Sequence, residues 1–158
     1  MLDRHSSHFM GLKMPDHTFA KPCLKESLYD VPAMPGVYAI WKDEELIYVG
    51  EAGKAWKPDK PPKTSHVKYR LSDHFRGTKN DVFVIYIFER FLGRNLSDKD
   101  WDKIEAGERG INFYAKQYIQ SKLKFTFVST TEHSEAMEYE NVLRRGGLGQ
   151  KPTINPLE

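Results

Sequence analysis

The chain has 158 residues, of which 39% are hydrophobic, 13% aromatic and 29% charged, and its formal net charge is +2 at pH 7. This length and composition predict one globular domain with a packed core and exclude a disordered chain. No apolar run reaches the ~18 residues of a membrane-spanning helix, no signal peptide is recognisable, and the single cysteine excludes an internal disulfide framework. We therefore expect a soluble, cytoplasmic protein.

The N-terminal segment, residues 1–34, has weak periodicity and scattered Pro, Gly and Ser. We interpret it as an irregular arm that packs on the domain or precedes it, and we assign residues 35–158 to the domain. Cys23 lies in this arm without the neighbours of an activated thiol. A cysteine hydrolase is therefore a weak alternative.

Alternating apolar and polar residues predict strands from Gly36 to Lys42 and from Leu46 to Val49. Their connection lacks the Asn-Gly or Asp-Gly of a two-residue turn, so we expect a three-residue loop. With such a loop, Tyr38 and Tyr48 would lie on the same face, and Gly50 would leave room for a close-approaching group. The alternative is that these tyrosines are simply good strand residues.

The next segment is proline-rich and basic. Residues 54–65 carry prolines without periodicity, which predicts an exposed loop. The window from Lys54 to Lys79 has eight basic and two acidic residues, so the rest of the chain carries a net charge of −4. Clustered positive charge suits binding of a phosphate backbone, although such loops are also often plain solvated surface.

Val67, Leu71 and Phe75, with Gly77 after them, predict a short amphipathic helix. Arg70 and His74 are four residues apart on this helix and share a face beside the apolar stripe. That face is available for chemistry, although an Arg and a His at this spacing are more often ordinary surface residues.

Further along the chain, residues 81–91 are rich in β-branched and aromatic residues and predict a buried strand. Residues 97–122 read as a helical insertion that begins at Ser97 with Asp100 as its capping partner and is open to a break at Gly107 and Gly110. A strand over 124–130 and a last helix from about Ser134 to Arg145 follow. The predicted class is α+β, with a small, mainly antiparallel sheet flanked by helices.

Glu140 interrupts the apolar stripe of the last helix, which we place on Ala136, Tyr139 and Leu143. A carboxylate on a core-facing side is costly unless it is paired or binds a cation. Glu140 is therefore either a buried ion-pair partner or a metal ligand, and the sequence favours neither.

Taken together, these residues resemble the GIY-YIG endonucleases. The resemblance covers residues 35–156 in the family's order and rests on five elements: Gly36-Val37-Tyr38, Tyr48-Val49-Gly50, Arg70 with His74, "EAMEYENVL" around Glu140, and "KPTIN" ending at Asn155.

The resemblance implies cleavage of DNA phosphodiester bonds with Mg²⁺ or Mn²⁺. We expect Glu140 to be the metal ligand, and because no second carboxylate is evident we expect one ion per site. The implied roles are phosphate binding for Arg70, water or proton handling for His74, a general base that is Tyr38 or Tyr48 with Tyr38 favoured, and orientation of the metal side by Asn155. For DNA-backbone contacts we select the basic residues Lys54, Lys57, Lys63, Lys68, Arg76 and Lys79.

The chain departs from the family in its long Lys/Pro loop, in its helical insertion and in Glu51, which stands where some members carry lysine. These departures leave the substrate contacts open. The alternative is a catalytically silent or partner-dependent nucleic-acid-binding module on the same scaffold. The DNA specificity, the choice between DNA and RNA, and the existence of a homodimer or a targeting partner also stay open.

Overall fold

The computed structural model describes residues 25–158. A 3₁₀ helix, Lys25–Asp30, leads into strands β1, Gly36–Lys42, and β2, Glu45–Ala52. Helices α1, Val67–Arg76, and α2, Val82–Ile87, come next, and α2 continues into a π-helical turn, Phe88–Leu92. Helices α3, Asp98–Glu105, and α4, Ile111–Lys122, precede strand β3, Leu123–Ser129, and helix α5, His133–Arg144, ends the regular structure.

The three strands form an antiparallel sheet in the order β2-β1-β3 with helices around it, which confirms the predicted α+β class. Successive β1 residues face opposite sides of the sheet and enter two separate cores. Tyr38 and Ile40 pack with α1, α2 and α4, whereas Val37 and Ala39 pack against α5. No described helix is long and apolar enough to cross a membrane.

The predicted three-residue hairpin loop is wrong, yet its consequence holds. Lys42 pairs with Glu45, so the loop has two residues, and Asp43 takes the positive φ of 53° that such a tight turn needs. An irregularity in the ladder between Ile40 and Trp41 then shifts the register, so that Ile40 pairs with Tyr48. This bulge returns Tyr48 to the face of Tyr38, and the two ring centroids lie 6.3 Å apart.

The buried strand predicted over residues 81–91 is also wrong, because this segment forms α2 and the π-helical turn. Asp81 caps α2 by accepting a hydrogen bond from the backbone N–H of Phe83 at 3.1 Å. The buried residues Phe83, Val84 and Ile87 have helical spacing and face the core that α4 also lines. Tertiary packing and the cap therefore override the strand propensity of the β-branched residues.

The remaining predicted strands and helices are present in the structure, whereas the predicted irregular arm contains the 3₁₀ helix Lys25–Asp30. Helix α1 ends at Gly77, whose φ of 66° is the left-handed conformation of a helix stop. Ser97 and Asp100 form a capping box, and the helical insertion is interrupted between α3 and α4 at Gly107, where φ is 71°. The loop over 54–65 contains no helix or strand. Most of the predicted arm, Cys23 included, lies outside the described residues.

Candidate active site

Four of the predicted site residues meet on the side of the sheet that α1 covers. Tyr38 comes from β1 and Tyr48 from β2, and Arg70 and His74 from neighbouring turns of α1. The His74 ring centroid lies 5.5 Å from that of Tyr38 and 5.7 Å from that of Tyr48. The hairpin register and the four-residue spacing on α1 therefore combine to form one cluster.

His74 is completely buried, and both of its ring nitrogens have partners. Nε2 lies 2.8 Å from the Tyr38 hydroxyl, and Nδ1 contacts a carboxylate oxygen of Asp81. Because both ring nitrogens are already hydrogen-bonded to protein groups, neither is free to bind the attacking water. Proton exchange with Tyr38 is the part of its predicted role that this geometry permits.

The two tyrosines differ in their access to solvent. Tyr38 is 1% exposed, whereas Tyr48 is partly exposed and lines a cleft of about 340 Å³ together with Arg70, Asp81 and Tyr86. Burial, followed by the neighbouring Tyr48, raises the pKa of Tyr38 well above its usual value. Burial also raises the pKa of Tyr48 against the lowering effect of Arg70. Both phenols are therefore protonated at neutral pH, and Arg70 by itself does not bring either pKa below its usual value.

Arg70 lies between two cavities. It lines the Tyr48 cleft and also a smaller cavity of about 230 Å³, formed with Glu51, Gly53, Lys54 and Ser65. A guanidinium that lines both cavities can contact a bound group that extends from one into the other. Its forked donors suit phosphate oxygens, and nearby Tyr38 and Asp81 outweigh the effect of burial and raise its pKa.

Glu140 approaches from the opposite side of the sheet, since α5 packs on the second core. The predicted stripe of Ala136, Tyr139 and Leu143 is buried, and the Glu140 side chain is 19% exposed. An oxygen of Glu140 lies 3.6 Å from Arg144, so the carboxylate has an ion-pair partner. No described hydrogen bond joins Glu140 to the tyrosine cluster. The link is electrostatic, because the charge of Glu140 contributes to raising the pKa of Tyr48.

A second carboxylate, which sequence reasoning missed, lies near Glu140. Glu51 accepts a hydrogen bond from His133 at 2.6 Å. Burial raises the pKa of Glu140, Arg144 opposes this, and Glu51 raises it further. Within residues 25–158, however, no group of three or more His, Cys, Asp or Glu side chains is gathered as a ready-made metal site.

Asn155 belongs to a tail that covers the free edge of β2. Its side-chain amide bonds both the N–H and the C=O of Val49, and its own C=O accepts a hydrogen bond from Arg144 at 2.7 Å. Asn155 thus connects the motif Tyr48-Val49-Gly50 to Arg144, the arginine that pairs with Glu140. This is a structural link on the Glu140 side of the site.

The predicted DNA-backbone residues do not form one group. Lys54, Lys57 and Lys63 are exposed on the loop, and Lys79 is exposed after α1. Lys68 donates to the backbone carbonyl of Tyr29 at 3.1 Å and, with Arg76, lines a separate cavity on the other side of α1 from Arg70.

Asp81 is the other residue that sequence reasoning missed. The signal was available, since an Asp directly before an apolar run is a typical helix N-cap.

Comparison of the chain with protein-family models, curated proteins and solved structures finds no significant match.

Proposed function

We propose that this chain is a divalent-metal-dependent endonuclease of the GIY-YIG type, which hydrolyses DNA phosphodiester bonds with one metal ion per site. The observation that carries the proposal is the convergence of Tyr38, Tyr48, Arg70 and His74, from three separate elements, beside an open cleft. Titratable groups with shifted pKa values that lie together beside a cleft are candidates for a functional site.

The carboxylates on the α5 side fit a hard divalent cation. Mg²⁺ is usually bound by one or two carboxylates, with water and substrate phosphate oxygens as the other ligands, so a ready-made protein cage is not required. Glu140 is partly exposed, and its raised pKa reflects both burial and the second negative charge of Glu51. Glu140 would be the ligand, and bound Mg²⁺ or Mn²⁺ would neutralise charge on the phosphate and at the leaving oxygen.

The protein groups around the cleft provide the other requirements of hydrolysis. Arg70 would bind phosphate oxygens at the junction of the two cavities. The Tyr48 hydroxyl has no hydrogen-bond partner among the described residues and would orient the attacking water or a phosphate oxygen. Tyr38 would act as the general base, and because it is protonated it needs a group that takes its own proton, which His74 provides.

An exposed loop lysine at one of the Arg70 cavities supports DNA as the substrate. Lys54 lines the smaller cavity, and the net positive window of the chain begins at this residue. Backbone contacts of this kind give affinity without sequence reading. We place the protein in the cytoplasm, where it would act by itself, as a homodimer, or with a partner that directs it to DNA.

The test is a cleavage assay on plasmid, linear, branched and single-stranded DNA, with Mg²⁺, with Mn²⁺ and with EDTA. We expect nicking or cutting of at least one substrate that requires the metal. Binding without cleavage under every condition would contradict the enzyme and support the silent or partner-dependent binding module.

A further inference from the structure

A buried hydrogen-bond chain connects three elements behind the cleft. The Tyr38 hydroxyl, on β1, contacts Nε2 of His74, on α1, and Nδ1 of His74 contacts the carboxylate of Asp81, at the start of α2. The side chain of Asp81 is 8% exposed, and that of His74 is completely enclosed. Phe83 closes one side of the imidazole, with ring centroids 4.6 Å apart.

The protonation state of Asp81 determines which group donates in each of these two hydrogen bonds. Burial would raise the pKa of Asp81, but its hydrogen bond and charge interaction with His74 outweigh burial, so the pKa is below its usual value and the carboxylate is ionised. An ionised carboxylate only accepts hydrogen bonds, so Nδ1 of His74 must carry the hydrogen. In the neutral ring Nε2 then has a free lone pair, and the Tyr38 hydroxyl must donate to it.

We infer that Asp81 is a positioning residue for the proposed cleavage reaction: it fixes the tautomer of His74, so that His74 can take the proton of Tyr38. This inference rests on the proposed function and adds to it a residue and a direction of proton transfer. Asp81 touches neither the substrate nor the metal in this scheme and acts through His74 and Tyr38.

The proton transfer balances in the following way. The attacking water gives one proton to the Tyr38 oxygen, while the Tyr38 hydroxyl proton moves to Nε2 of His74. The water oxygen forms the new bond to phosphorus, the bond from phosphorus to the leaving ester oxygen breaks, and that oxygen takes a proton from solvent water. The imidazolium faces the Asp81 carboxylate and later returns its proton to solvent through Tyr38.

The charged and titratable groups that face His74 are Tyr38 from β1, Tyr48 from β2, Asp81 at α2 and Arg70 on its own helix. Of these, only Asp81 contributes a negative charge at neutral pH, because both phenols are protonated. Removing that charge makes the protonated imidazole less favourable.

The test uses Asp81→Asn, because asparagine is also a good N-cap and its amide oxygen can still accept the Phe83 N–H. Its amide NH₂ can donate to Nδ1 and thereby favour the other tautomer of His74, which leaves Tyr38 without an acceptor. We expect kcat to fall by about 10²-fold or more with little change in KM, and the acidic limb of the pH–rate profile to move to lower pH. Asp98→Asn, at the exposed start of α3, removes a matched charge away from the site and should leave the rate unchanged.

Long-range ¹H–¹⁵N NMR spectra of the imidazole groups provide a measurement that does not depend on activity. The His74 signals are assigned by their absence in His74→Gln. We expect the hydrogen on Nδ1 in the parent protein and on Nε2 in Asp81→Asn. A parent protein with the hydrogen on Nε2 would overturn the inference, even if it cuts DNA.

The two proposals can fail separately. If Asp81→Asn cuts at the parental rate while the parent has the expected tautomer, the role of Asp81 is overturned and the nuclease stands. If the parent cuts no DNA, the nuclease fails and the catalytic role of Asp81 fails with it. The NMR spectra still decide the direction of the hydrogen-bond chain.

Discussion

The side-chain amide of Asn155 bonds both backbone groups of Val49, with Val49 N–H donating to Oδ1 at 3.1 Å and Nδ2 donating to the Val49 C=O at 2.6 Å. Val49 is on the edge strand β2, next to Tyr48, and the backbone of Thr153 and Ile154 bonds the same strand. The C-terminal tail therefore closes the sheet edge at the site and protects it from pairing with another chain.

We predict that Asn155→Ala lowers the free energy of unfolding by about 1–3 kcal/mol, because two hydrogen bonds to a buried residue are lost. Chemical denaturation measures this, and hydrogen exchange at the Val49 amide should become faster. Asn155→Asp keeps the acceptor for the Val49 N–H but puts a carboxylate oxygen against the Val49 C=O in place of the donor, so this variant should also be destabilised. Equal stability of the parent and Asn155→Ala would show that these two hydrogen bonds do not stabilise the fold.

Glu140→Gln should abolish metal-dependent cleavage and leave DNA binding intact, because the amide keeps the shape of the side chain but not the charge that attracts a cation. Glu138→Gln is the control, since Glu138 is exposed on the same helix. Cleavage rates and DNA binding without metal are measured for both variants. Cleavage by Glu140→Gln at the parental rate would remove Glu140 from the proposed metal site.

Arg70→Lys should lower the cleavage rate by about 10²-fold while the fold is retained, because a single ammonium group cannot reproduce the forked contact of a guanidinium with phosphate. Arg90→Lys makes the same change at an exposed position outside the site and should have no effect. Rates with saturating metal and the thermal unfolding curves separate lost chemistry from lost folding. A normal rate for Arg70→Lys would mean that the planar fork is not used.

The loop lysines should account for part of the salt dependence of DNA binding. Changing Lys54, Lys57 and Lys63 together to alanine should weaken binding and reduce the slope of log K against log salt by up to about 3. The control changes Lys99, Lys116 and Lys122, which are exposed on α3 and α4, to alanine and removes the same charge elsewhere. Equal slopes for the two triple variants would indicate that the loop makes no specific phosphate contacts.

Gly50 allows the hydroxyl of Tyr38 to lie against the backbone of β2, because a Cβ at this position would overlap the hydroxyl and ring of Tyr38. Gly50→Ala should therefore destabilise the fold by about 1–3 kcal/mol and disturb the contact between Tyr38 and His74. Gly93→Ala is the control, since its Cβ would make only ordinary contacts, the nearest at 3.6 Å. Chemical denaturation of both variants measures the effect, and an unchanged Gly50→Ala would mean that the ring can move away.

Local patterns were sufficient to predict the hairpin strands, α1 with its stop at Gly77, the start of α3 at Ser97, and the buried stripe of α5. Each depends on residues within one or two turns of each other, through side-chain periodicity and backbone capping. The pairing of Arg70 and His74 on one face follows for the same reason, from the geometry of a single helix.

Only the tertiary structure decided the features that depend on distant parts of the chain. The bulge, not the turn, decides on which face of the sheet Tyr48 lies. Residues 82–92 are helical and pack against α4, although their composition predicts a strand. Asp81 caps the start of that helix, which places its carboxylate against His74, while α5 brings Glu140 close to Glu51. Hydrogen-bond direction, burial and shifted pKa values depend on tertiary contacts between separate helices and strands. Local sequence patterns do not specify those contacts.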